Sequence, residues 1–173
     1  MDQKEREALA KRIKAAFADA EVPKKEDFST RDKYVVEPFI GKSRDEIGLD
    51  NLQSSEPLGC FFPTAFRYYL PIFLNAVVLH PYEVDVLADG IIIKLSPLDS
   101  EDFKGTILED KVQHLDYRSA LVRQTQLFSQ QENQAIYEFL KNYERIVPDG
   151  LDLPRVRAIY ERGVEFWKEK ANG

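Results

Sequence analysis

The chain is poor in the side chains from which most recognisable sites are built. It holds one cysteine, Cys60, and two histidines, His80 and His114, among 173 residues. A lone cysteine excludes an internal disulfide and gives no support for an oxidising compartment. With so few His and Cys, and neither an HExxH nor a CxxC spacing, a zinc site would have to recruit carboxylates. No apolar run approaches the ~18 residues of a membrane span. The opening stretch MDQKEREALAKRIK is charged throughout and has no apolar core of a signal peptide, so the cytoplasm is the expected location and no membrane partner is expected. Basic residues are scarce where they would matter most: residues 51–110 carry three bases against nine acids, whereas the flanking segments are balanced to within one charge. The net charge of -6 and pI of about 5.1 argue against nucleic acid as the main partner, because duplex binding needs a surplus of Lys and Arg.

What is present is apolar and aromatic. Eleven Phe, eight Tyr and one Trp fall within a 43% hydrophobic share, ordinary for one folded domain of this length but rich in large side chains. Residues 4–20 place Leu9, Ile13, Ala16, Phe17 and Ala20 at offsets of three and four, an amphipathic helix ended by Pro23. YVVEPF at 34–39 has the composition of a short extended piece. Ser43 and Glu46 form an S-x-x-E cap, with Leu49 and Leu52 as buried positions beyond it. A helix from about Pro63 runs through AFRYYLPIFLNAVVLH, apolar nearly all round, with Pro71 deep enough inside to kink or divide it. Residues 81–88 predict a helix with Gly90 just past its end, while IIIKL at 91–95 suits either a helix or a strand. Ser129 and Glu132 repeat the capping box before Ala135, Ile136, Phe139, Leu140 and Tyr143, and VPDG at 147–150 marks a turn. Leu153, Val156, Ile159, Tyr160, Val164 and Trp167 then define a last helix with Pro154 in its first turn. The expected architecture is one mainly α domain, residues 1–173, of five to seven helices around a kinked central helix, with at most one or two short strands. It comprises an N-terminal helix at 1–22, a core at 43–145 and a C-terminal helix at 151–171.

The segments FFPTAFRYYLP and FSQQENQAIYEFL carry a resemblance. Through Phe62, Pro63, Ala65, Phe66, Tyr68, Tyr69, Leu70 and Pro71, and then Phe128, Gln134, Ala135, Ile136, Phe139 and Leu140, residues 43–145 resemble a bacterial family described only as a domain of unknown function. Thr64 stands where that family often has an acidic residue. The resemblance implies no activity, substrate or cofactor.

Several constellations have chemical readings, and each has a plainer one. Gly41-Lys42-Ser43 ends like a phosphate-binding loop but has Val36 where the first glycine belongs, so a turn into the Ser43 cap explains it. Cys60 with His80 and His114 has the elements of a thiol nucleophile, although a small buried Cys is the simpler reading. Asp99, Glu101 and Asp102 offer oxygen ligands without the spacing of a calcium loop. Arg67 is the one charge inside GCFFPTAFRYYLPIFL, and a guanidinium there either reaches water along its methylenes or is paired. The excess of acids downstream predicts a partly buried Arg67 paired with a carboxylate from 83–102, fixing the central helix against a neighbour. Tyr68 and Tyr69 point about 100 degrees apart on a helix, so one is expected inside and the other is available to a partner. Glu83, Asp85, Asp89, Asp99, Glu101, Asp102, Glu109 and Asp110 are expected to form an acidic face. With Arg67, Tyr68 and Tyr69 this surface suits a basic protein partner, in a non-enzymatic binding module such as an immunity protein or antitoxin. The rival reading is a small hydrolase or transferase built on Arg67 and the 83–102 carboxylates. No cofactor is implied by either.

Overall fold

A computed structural model describes residues 1–104 and 117–173. The chain is mainly helical. Among the described residues eight helices follow one another: α1 Gln3–Ala16, α2 Lys33–Val36, α3 Pro63–Leu79, α4 Asp85–Lys94, α5 Tyr117–Gln124, α6 Gln130–Lys141, α7 Tyr143–Ile146 and α8 Pro154–Asn172. Short 3-10 turns connect several of them. Two of the eight, α2 and α7, are single turns of four residues, which leaves six longer helices.

The helix ends follow local chemistry. Asp2 accepts from the Glu5 amide at 2.8 Å while Glu5 accepts from the Asp2 amide at 3.0 Å, a reciprocal cap that starts α1. Ser129 and Glu132 do the same for α6, as their spacing predicts. Pro154 opens α8 at a position where its missing N–H leaves nothing unpaired. The backbone of α3 continues through Pro71 to Leu79 as one element. Pro71 has no N–H to give the carbonyl of Arg67, four residues earlier.

Five helices close a ring of neighbours in which α1 packs on α3, α3 on α4, α4 on α8, α8 on α6 and α6 on α1. The middle of the ring is aromatic. Phe128, just before α6, meets Phe17 edge-on at 5.6 Å, Phe66 in a stack at 6.0 Å and Trp167 at 6.1 Å. Trp167 is fully buried, and its indole N–H donates to the Leu95 carbonyl at 2.6 Å, joining α8 to the end of α4. Outside α3, the irregular stretch from 25 to 62 is held by a second aromatic group of Phe28, Phe39, Phe61, Tyr69 and Phe73, with neighbouring rings 5.2 to 6.3 Å apart.

Two expectations do not hold. YVVEPF is no extended piece: it forms the helical turn α2 and the further turn at 37–40, with Val35, Val36 and Phe39 buried. Gly90 does not lie past the end of its helix: α4 runs through it to Lys94, so that IIIKL, which suits either state, is helical up to its final Leu95. A side chain at Gly90 would collide with Ser55, so this glycine lets the 54–60 segment lie against the helix. Among the described residues the only β pairing is one isolated bridge between Phe28 and Phe61. YVVEPF has the β-branched composition of a strand, yet it buries Val35, Val36 and Phe39 from helical turns.

α8 packs tightly at Gly163 on the residues that follow α4, where a Cβ would overlap the side chain of Ser96. Gly163→Ala is therefore expected to lower stability by about 1–3 kcal/mol through overpacking. Thermal unfolding would register this as a fall of about 2–4 °C per kcal/mol for a domain of this size. An unchanged melting temperature would contradict the close approach.

Candidate functional site

Arg67 is partly buried and paired, as its setting predicts, but its partners are not those expected. Its Nε donates to Glu132 Oε1 at 2.8 Å and its Nη2 meets Asp19 Oδ1 at 3.1 Å. The Arg67 side chain is 18% exposed and that of Glu132 is 0% exposed. None of the 83–102 carboxylates takes part. The pair does fix α3 against a neighbour, namely the capped start of α6, where the second Glu132 oxygen accepts from the Ser129 amide at 2.6 Å.

The two tyrosines are both interior, which removes them from any partner surface. Tyr68 is 7% exposed and lies under the guanidinium of Arg44, 4.2 Å from ring centre to cation. Tyr69 is fully buried, and its hydroxyl lies 2.6 Å from the carbonyls of both Phe39 and Lys42. Burial pushes its phenol well above the usual tyrosine range. The Lys42 carbonyl is presented by a turn at Gly41, whose φ of 74° favours glycine. Gly41-Lys42-Ser43 is thus a turn and cap that receives a core hydroxyl.

The downstream acids are largely used by the fold. Glu83 holds His80 at 2.8 Å, and Asp85 accepts from the Val86 amide. Asp99 and Asp102 cap each other's amides, and the buried Asp102 also takes Arg162 through both oxygens at 2.5 and 2.6 Å. Glu101 meets Lys104 at 3.4 Å. Asp89 alone of these six has no hydrogen-bonded or ion-paired partner among the described residues. Glu109, Asp110 and His114 lie outside the described residues. No cluster of three His, Cys, Asp or Glu among the described residues is arranged to hold a metal ion. Cys60 is buried, 3.9 Å from Asp32, and burial raises its thiol pKa, the reverse of an activated nucleophile.

Asp89 instead looks across a cleft of about 650 Å³ between α4 and the turn that enters α8. Its rim carries Glu56, Asp89, Asp149 and Asp152, four carboxylates without partners among the described residues. Its walls include Val86, Ile93 and Leu153, which are 62%, 41% and 67% exposed. Val86, Gly90 and Ile93 recur at four and three residues, so α4 turns an apolar stripe outward as well as inward. Ile93, Leu153 and Val156 also line an adjoining, largely apolar hollow of about 330 Å³, which lengthens the cleft into a groove. On the other side of Ile93 and Lys94 lies a third hollow, of about 230 Å³. Arg67, Tyr68 and Tyr69 line none of the three.

Sequence reasoning therefore found one of the four rim acids. Asp149 and Asp152 sit in a segment that reads only as a turn and helix start, and the exposed Leu153 beside them has the spacing of a core position. Two acids flanking Gly150 and Leu151 at the mouth of a helix were the available signal. Arg44 was also missed. Its Nε and Nη1 donate to the carbonyls of Tyr68 and Phe17 at 2.5 and 2.9 Å, tying the 44–46 turn to α3 and to the end of α1.

Replacing Arg67 by Met would leave Glu132 charged, dry and without its cation. The expected cost is about 3–5 kcal/mol, read from urea unfolding. The double variant Arg67→Met/Glu132→Gln should recover part of it, since no uncompensated charge remains. No protein-family model, curated protein or solved structure matches this chain.

Proposed function

We propose that the chain is a non-enzymatic binding module that seats a basic, amphipathic segment of a partner protein in the groove between α4 and the start of α8. One observation carries the reading: four carboxylates with no hydrogen bond or ion pair among the described residues, against the single base Lys94, rim a groove whose walls include exposed Val86, Ile93 and Leu153. Apolar surface with an acidic border suits a segment that offers Leu- or Ile-like side chains to the floor and Lys or Arg to the rim. Carboxylates already paired within the fold add little to such recognition, whereas unpaired ones keep their full field. Masking a basic site on another protein, as an immunity protein or antitoxin does, is a role this surface would serve. The alternative enzyme reading draws no support from Arg67, whose guanidinium is engaged by Glu132 and Asp19.

The probe is a helical Lys/Leu peptide, compared with its Glu/Leu counterpart by fluorescence anisotropy. The basic peptide should bind with an affinity that falls as salt is raised. Asp149→Asn/Asp152→Asn should weaken it about tenfold, or ~1.4 kcal/mol, and Val86→Ser/Leu153→Ser should do likewise without altering the melting temperature. Equal binding of the two peptides, or indifference to both double variants, would overturn the proposal.

A further inference from the structure

Lys94, the last residue of α4, faces a different problem from the acids near it. It is half-buried, and no hydrogen bond or ion pair holds its ammonium among the described residues. Burial pulls its pKa down from the usual lysine range, against the weaker pull of Cys60 and Glu56 in the other direction. Its position is set by the missing side chain of Gly59: a Cβ there would stand 2.7 Å from Lys94 Nζ. Gly59 and Lys94 both line the third hollow, so the amine sits at that wall. The remaining walls are chiefly Leu58, Phe66, Leu98 and Leu121. Ser96 lines it too, 3% exposed, with its Oγ turned to Gly163 of α8 and without a hydrogen-bond partner among the described residues. An amine half-buried at an apolar hollow, with no hydrogen bond or ion pair among the described residues, is costly as it stands.

We propose that this hollow is a binding site for a small monocarboxylate with a hydrocarbon tail, the tail against Leu58, Phe66 and Leu121 and the carboxylate on Lys94. A single cation selects one negative charge; a phosphate would call for more donors than one amine supplies. At about 230 Å³ the hollow lies below the roughly 300–1,000 Å³ of sites for drug-sized ligands, which limits the tail to a short chain or one ring. Ile93 and Lys94 line both this hollow and the acidic cleft, but the inference does not rest on the peptide reading, because it uses the amine and the apolar walls of the hollow and none of the rim acids.

The test is titration of octanoate into the intact protein, followed by two-dimensional NMR at the signals of Leu121 and Ala120, with octanamide as the uncharged counterpart. Saturable shifts with octanoate and about tenfold weaker binding of octanamide are expected. Lys94→Met should reduce octanoate binding to the octanamide level, and Ala120→Phe, which fills the hollow from α5, should remove both. Equal binding of the two probes would overturn the role of Lys94 even if the Lys94→Met protein failed to fold. Absence of saturable shifts at millimolar octanoate would overturn the site itself. Asp149→Asn/Asp152→Asn should leave octanoate binding in place, so that failure of the groove and failure of the hollow are separable results.

Discussion

Glu132 is a carboxylate with no access to water, and the ring of helices is arranged around keeping it charged and satisfied. One of its oxygens closes the cap of α6 and the other receives Arg67 from the middle of α3, while the far end of the guanidinium reaches Asp19 beyond α1. Two helices and the turn after α1 thus meet through one ion pair and its neighbour. Such a pair adds little net stability over an apolar replacement, because both ions lose their hydration. Its effect is on geometry: an α3 shifted along α6 would leave a dry charge alone, so alternative registers are penalised. Other arginines act in a related way on bare carbonyls. Arg6 donates to Val78 and Ile146, at the ends of α3 and α7, where backbone acceptors are unpaired and the helix dipole favours a cation.

What could be read from the sequence was what local chemistry decides. The capping box of Ser129 and Glu132, the proline that opens α8 and the stripe of Leu9, Ile13 and Phe17 are all fixed by neighbours within a turn or two. The burial of Arg67 was legible as well, since a single charge within so apolar a run has few places to go. Its partner was not, because Glu132 lies 65 residues away and its capping role already accounted for it. The same distance effect hid the groove. Asp89 and Asp149 share a rim only because α8 folds back on α4, and that contact depends on Gly163 and Trp167 and not on anything within either acidic stretch. YVVEPF misled for a further reason, which also left IIIKL open: β-branched residues fill a crowded interior from a helix as well as from a strand.

α4 gathers these features. Its inner side, through Leu87, Ala88, Ile91 and Ile92, is wholly buried. Its outer side exposes Val86 and Ile93 between acids, and its last residue carries the amine that faces the small hollow. A helix apolar on both sides is ordinarily covered on both, and α4 is covered by the protein itself on one side only. Its outer flank meets the acid-rimmed cleft and its end meets the small apolar hollow, with Ile93 and Lys94 lining both.

The single tryptophan of the chain is the ring that joins α8 to the end of α4. Its indole is dry, flanked by Phe128 and Phe166, and hydrogen-bonded to the carbonyl of Leu95. Light absorbed and re-emitted by that one group is therefore an intrinsic gauge of whether the two helices that frame the groove are docked, without any attached label.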